Sequence, residues 1–224
     1  MKANTESPSR SVLVWDLPTR LFHWLLVILV IISFVTGNIG GNAMQYHEWS
    51  GFAILALLLF RIAWGFVGSR ESRFVTFVQG SEAVIRYATN LLRRGSPAYL
   101  GHNPLGGWSI IAMLFTLLVQ AATGLFANDD IVTEGPLFDW VSKATSDWLT
   151  RIHKLNKQVI IALVCAHVLA VLFYFFYKRE NLVKPMITGV KQWSGAETEP
   201  ATGRTWTAAL IAGLAALAVY LLVR

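Results

Sequence analysis

RIHKLNKQVIIALVCAHVLAVLFYFFY, residues 151–177, is the stretch on which the fold turns. From Gln158 to Tyr177 it holds no Lys, Arg, Asp or Glu for 20 residues, the length of apolar helix that crosses a bilayer. It also carries two histidines, His153 and His167, 14 residues apart. At about 100° per residue this interval is four turns less about 40°, so both rings project to one face, ~21 Å apart along the axis. Ionisable groups at membrane depth are costly and mark function. Two on one face, one near each leaflet, suit two stacked cofactors inside a helical bundle.

The rest of the chain extends this reading. Leu21–His47 is free of charged residues for 27 positions, Gly95–Asn128 for 34 and Thr205–Val223 for 19. Spans are therefore predicted near Leu21–Gly40, His47–Val67, Trp108–Ala127, Leu155–Tyr177 and Trp206–Val223. Of 224 residues, 54% are hydrophobic and 14% charged, against about 25% charged in soluble domains. Disorder and most soluble folds are excluded. The single cysteine, Cys165, excludes a disulfide framework and Cys-rich metal sites.

The net charge of +6 does not point to nucleic acid, because the basic residues sit at the ends of apolar runs. Segments 1–20, 61–94 and 178–204 hold 14 of the 19 Lys and Arg. The loop around 128–154 holds five acids, Asp129, Asp130, Glu134, Asp139 and Asp147. This asymmetry places the N-terminus in the cytoplasm. Segment 68–107 becomes an inner loop with an amphipathic stretch near Phe74–Leu92, and 192–204 a polar linker. Trp15, Trp49, Trp64, Trp108, Trp148 and Trp206 fall near span ends, where indoles favour the headgroup zone.

Depth and facing pair the histidines. Helix one runs outward, so His23 at its start is inner. Helices two and four run inward, so His47 and His153 are outer and His167 is inner. The expected pairs are His47 with His153 and His23 with His167, giving bis-imidazole ligation of two irons. No Cys or carboxylate accompanies them at matching depth, which favours haem over zinc or a di-iron site. With both axial positions filled, the chemistry expected is electron transfer.

Arg61 follows His47 by 14 residues and is a candidate partner for haem propionates, or a snorkelling arginine. Gly37, 14 after His23, and Gly124 would let a macrocycle approach backbone, or serve helix packing. His102 is a propionate or quinone contact, or shapes the turn before helix three.

Several stretches together resemble the prokaryotic cytochrome b561 family, related to the cytochrome b subunits of nickel–iron hydrogenases and formate dehydrogenases. They are Trp15-Asp16-Leu17-Pro18-Thr19-Arg20-Leu21-Phe22-His23-Trp24, Phe60-Arg61-Ile62-Ala63-Trp64-Gly65-Phe66-Val67-Gly68, Gly101-His102-Asn103-Pro104-Leu105-Gly106-Gly107, the His153–His167 interval, and Lys178-Arg179-Glu180-Asn181-Leu182-Val183-Lys184-Pro185-Met186. The resemblance implies a four-helix cytochrome of the bacterial inner membrane, with two haem b groups ligated by His23, His47, His153 and His167. It also implies electron exchange between the quinone pool and a redox partner, such as a periplasmic cytochrome c or another redox subunit.

The expected fold is thus an all-α membrane protein: a four-helix transmembrane bundle holding two haems, plus a fifth C-terminal transmembrane helix. Residues 1–12 form a cytoplasmic tail, 13–192 the dihaem domain, and 193–224 a linker and the fifth helix. An alternative function is a membrane anchor that docks a soluble metalloenzyme such as a hydrogenase or dehydrogenase. A proton-coupled transporter would instead use titratable histidines and no haem, and usually shows internal repeats; none is visible here.

Overall fold

The computed structural model describes residues 10–93, 99–131, 133–195 and 205–224. A strand β1 (Arg10–Leu13) leads into α1 (Leu17–Ile39) and α2 (Met44–Val67). Two short helices, α3 (Phe74–Phe77) and α4 (Ser81–Thr89), precede α5 (Pro104–Gly124) and α6 (Lys143–Phe173). After α6 come a π-helical turn (Tyr174–Lys178), α7 (Val183–Thr188), β2 (Val190–Trp193) and α8 (Thr205–Leu222). Among the described residues, five helical segments are long and apolar enough to cross a membrane, in the order expected from the sequence.

Local chemistry sets the helix starts earlier than the apolar runs do. Asp16 caps α1 by accepting from Thr19 N at 2.8 Å, with Pro18 in the first turn. Asn103 caps α5 by accepting from Gly106 N at 2.8 Å, ahead of Pro104. Side-chain oxygens satisfy otherwise unpaired amides at these ends. Gly40 and Gly41, with φ of 69° and 54°, make the tight turn into α2.

The largest departure from expectation is α6, which begins at Lys143 rather than near Leu155. Ser142 caps it, and its first turns bury Ser146 and Thr150 against the Asn128 loop. Lys143 pairs with Asp130 and Asp147 there. A polar helical extension therefore carries α6 beyond the apolar run, and His153 lies well inside the helix.

The bundle consists of two antiparallel hairpins, α1 on α2 and α5 on α6, with α2 as the shared centre. α8 packs on α2 and runs the depth of the bundle. Ala208 and Ala215 lie with Phe22, Phe60 and Trp64 toward one end, and Val219 with Leu55, Leu125 and Leu137 toward the other. Small alanines let the backbones approach closely.

One element has no counterpart in the sequence reading. β1 pairs antiparallel with β2, Arg10 opposite Trp193 and Leu13 opposite Val190. The ribbon joins the start of α1 to the segment after α6. Arg20 Nη1 donates to the Ile187 carbonyl at 2.5 Å and Trp24 Nε1 to that of Met186 at 3.2 Å. Nearby, the Tyr87 and Tyr174 hydroxyls share a hydrogen bond and Asn103 Nδ2 donates to Tyr174 at 2.9 Å, tying α4, the start of α5 and the π turn together.

Asp16 is 3% exposed and does more than cap α1. Its second oxygen accepts from Trp64 Nε1 at 3.1 Å and Ser72 Oγ at 3.3 Å. Asp16→Ala removes the cap and strands two buried donors. It is expected to destabilise the protein by about 2–3 kcal/mol, read as a lowered thermal midpoint in detergent, while Asp16→Asn keeps most of the stability.

Candidate functional site

His47 on α2 and His153 on α6 meet across the bundle. Their ring centres are 6.1 Å apart and the planes nearly perpendicular, at 81°. His47 Nδ1 is 2.8 Å from the Ser33 carbonyl, and His153 Nδ1 is 3.0 Å from that of Gln120. A carbonyl only accepts, so each Nδ1 carries the proton and each Nε2 keeps its lone pair. An N–H donated to a backbone carbonyl is the usual support of a metal-bound imidazole.

The same local device seats both rings. Gly37 lies four residues after Ser33, and Gly124 four after Gln120, one turn along the same helix face. A Cβ on Gly37 would stand 2.7 Å from His47 Nδ1, and one on Gly124 would stand 3.0 Å from His153 Cε1. Each glycine clears the space through which a neighbouring helix's histidine reaches a backbone carbonyl. These glycines, expected to face a macrocycle, receive the histidine rings themselves.

A cavity of about 400 Å³ opens between the hairpins at this end, with His47, His153, Gly37 and Gly124 in its wall. Its lining is mainly apolar, with Ile54, Leu55, Leu117 and Ile160 among the residues. Among the described residues no three His, Cys, Asp or Glu side chains gather as a metal cluster. A metal here would need equatorial ligands of its own, as in haem. At a metal–imidazole bond of about 2.0–2.1 Å, two imidazoles sharing one ion stand roughly 6 Å apart between ring centres; the observed separation fits.

At the other end His23 on α1 and His167 on α6 lie close enough to interact electrostatically. His23 packs edge-on against Trp24 at 5.0 Å. His102 lies between Trp15 and Phe77, ring centres 4.6 and 4.8 Å away. Burial, then the charges of Arg61, His167 and His23, push the His102 pKa down to about 3. This imidazole is neutral at physiological pH.

Arg61 is 3% exposed, so it does not extend to solvent. Nη2 donates to the Ser72 carbonyl at 3.1 Å, and the guanidinium lies 5.0 Å from the Phe74 ring centre. Nη1 is buried without a hydrogen-bond partner, as are Arg20 Nε, Arg73 Nε, His23 Nδ1 and His102 Nδ1. Buried polar nitrogens are seldom left unpaired. The three arginine nitrogens are donors only, and on residues flanking this end they suit a ligand that brings its own acceptors, as a carboxylate-bearing cofactor does.

Sequence reasoning missed the backbone carbonyls of Ser33 and Gln120 and the hydroxyl of Thr123, which lies 3.3 Å from His153 Nδ1. The available signal was the repeated four-residue step, Ser33 to Gly37 and Gln120 to Gly124, on the helices that precede the histidine-bearing ones.

Comparison with known proteins agrees with this architecture. Residues 14–189 match the family described as prokaryotic cytochrome b561. The "Probable Ni/Fe-hydrogenase 1 B-type cytochrome subunit" of Escherichia coli (strain K12) is 28% identical over 214 residues, covering 80% of this chain and 89% of that protein. The "Probable Ni/Fe-hydrogenase B-type cytochrome subunit" of Bradyrhizobium diazoefficiens is 28% identical over 221 residues, covering 82% and 87%. That of Rhizobium leguminosarum bv. viciae is 27% identical over 220 residues, covering 84% and 92%. No solved structure matches the chain.

The His102 shift has a signed consequence. The unfolded ring takes up a proton near its ordinary pKa of 6.5, whereas the folded ring stays neutral down to about 3. Between those values the unfolded state binds more protons, so stability falls as pH falls. The slope from this group approaches about 1.4 kcal/mol per pH unit. His102→Gln is expected to flatten the acid limb of a stability–pH curve relative to the parent chain, measured by thermal unfolding between pH 7 and 4.

Proposed function

The chain belongs to the prokaryotic cytochrome b561 family, and from that footing we propose that it is a dihaem electron carrier ligated by His23, His47, His153 and His167. It is a multi-pass membrane protein and a haem b-type cytochrome of electron transport. The pairs proposed are His47 with His153 and His23 with His167. The observation that carries the reading is the His47–His153 contact: two rings 6.1 Å apart, each with Nδ1 at a carbonyl and Nε2 left over.

Haem, held by these histidines, would supply a one-electron redox centre. The chain's part is to hold the imidazoles, exclude water and place charge. The Ser33 and Gln120 carbonyls fix tautomer and orientation and raise ligand basicity. Leu55, Leu117 and Ile160 keep the His47 end apolar. At the His23 end, Arg61 offers its unpaired Nη1 to a propionate carboxylate.

Charge asymmetry supports an inner-membrane orientation with the N-terminus in the cytoplasm, which sets the His23/His167 site inward and the His47/His153 site outward. Two stacked centres then make a path across the bilayer between the quinone pool and a redox partner. That partner is a periplasmic cytochrome c or another redox subunit. The names of the relatives favour the latter, with the chain also anchoring the soluble subunits of a Ni/Fe-hydrogenase.

Purified protein is expected to give two b-type haems per chain by pyridine haemochrome, with low-spin bands in the reduced-minus-oxidised spectrum. His167→Ala and His153→Ala should each leave one. Gly37→Val, which drives a side chain into the His47 ring, should lose the same haem as His153→Ala. A haem-free chain overturns the proposal, and so does retention of two haems by His167→Ala. Co-purification with a large soluble subunit separates an anchoring role from that of a free-standing carrier.

A further inference from the structure

Lys157 is a cation at the outer end of the apolar run of α6, and among the described residues it forms no ion pair. It lies on α6 one turn beyond His153 and forms part of the wall of the cavity between His47 and His153. Helical side chains lean toward the helix N-terminus. The Lys157 chain does so, and its ammonium ends 3.4 Å from Asn38 Oδ1 and 6.0 Å from the Phe34 ring centre. Asn38 adjoins Gly37, against which the His47 ring is seated. The ammonium is also near enough to His153 to act on it electrostatically.

Nothing in the wall neutralises it. Among the described residues no carboxylate comes within ion-pair distance of Lys157. The cavity's other charged groups are Lys154, Glu48 and Asp129. Asp129 is engaged elsewhere, accepting from the amides of Ile131 and Thr133 at 2.9 and 2.8 Å. Lys157 stands just before the charge-free run of α6 and its contact with Asn38 is exposed, so the ammonium sits at the outer mouth of the cavity. One neutral amide oxygen at 3.4 Å is a weak partner that leaves the ammonium available to an anion.

We propose that Lys157, positioned by Asn38, is the carboxylate-binding group of the His47/His153 cavity, pairing with the acidic side groups of the cofactor held there. The assignment rests on the dihaem reading. It gives the two ends different anion holders: a buried arginine at the His23 end, and here a flexible lysine anchored one turn from an axial histidine.

The test uses the full-length chain stripped of haem and reconstituted in nanodiscs with protohaem or with its dimethyl ester, which has the same ring and no carboxylates. Occupancy of the His47 end is read from the spectral component absent in His153→Ala. The parent chain is expected to bind the ester there about tenfold more weakly than protohaem. Lys157→Met should bind both equally weakly, Lys157→Arg should restore the preference, and Lys154→Gln should leave it intact. The midpoint potential of that haem should also drop in Lys157→Met, because a positive charge that opposes the oxidised state is gone.

Equal preference for protohaem in Lys157→Met and the parent overturns the assignment, as does loss of preference in Lys154→Gln. Should Lys157→Met fail to fold, Asn38→Ala supplies the second variant: a weakened preference supports the assignment and an unchanged one overturns it. A parent chain that never takes up two protohaems overturns the dihaem reading and this assignment with it, whereas two haems without carboxylate discrimination overturn this assignment alone.

Discussion

Two hydrogen bonds, from His47 to the Ser33 carbonyl and from His153 to that of Gln120, organise the centre of this molecule. An unpaired imidazole N–H in a bilayer-embedded bundle is expensive. Backbone carbonyls of a neighbouring helix are the nearest acceptors, but they are shielded by side chains one turn along. Glycine at that turn removes the shield. Each hairpin thus contains one helix that offers a carbonyl beside a glycine and one that sends a histidine into it. The pairing of α1 with α2 and of α5 with α6 orients each ring, and the packing of α2 on α5 docks the two hairpins with the rings 6.1 Å apart.

The two ends of the bundle solve the problem of buried polarity differently. At the His47 end each ring has its carbonyl and the cavity is largely apolar. At the His23 end the polar atoms are crowded and unevenly satisfied. Asp16, Thr19, Ser69, Ser72 and Trp64 form a closed set of hydrogen bonds, while Arg61, His23 and His102 each retain a buried nitrogen without a partner. The satisfied network fixes backbone positions and the unsatisfied one leaves valence for a ligand.

Much of this was legible in the chain. Five charge-free or nearly charge-free runs mark five spans because hydrocarbon admits few charges. The convergence of His47 with His153 follows from depth and facing, both of which are functions of spacing alone. Other features left no local trace. The β1–β2 ribbon joins two four-residue segments from opposite ends of the chain, too short for an alternating pattern to stand out. The polar start of α6 is helical because Ser142 caps it and Ser146 and Thr150 pack on the Asn128 loop, which is a tertiary matter. The role of Asp16 was invisible for the same reason: its partners Trp64 and Ser72 are 48 and 56 residues away.

The hairpin organisation bears on biogenesis. His47 finds its carbonyl within the first hairpin, whereas its facing ring belongs to the second, about a hundred residues later in synthesis. At roughly 5–20 residues per second, the ribosome spends about 5–20 seconds with one ring of the pair made and the other unmade. The His23 and His167 helices are separated still further, and the ribbon that ties their ends together needs Trp193 to have emerged. Neither pair can form until α6 has been made. Each hairpin carries its own imidazole and the carbonyl that orients it, so the two halves of the His47/His153 pair are specified separately and meet only when the hairpins dock.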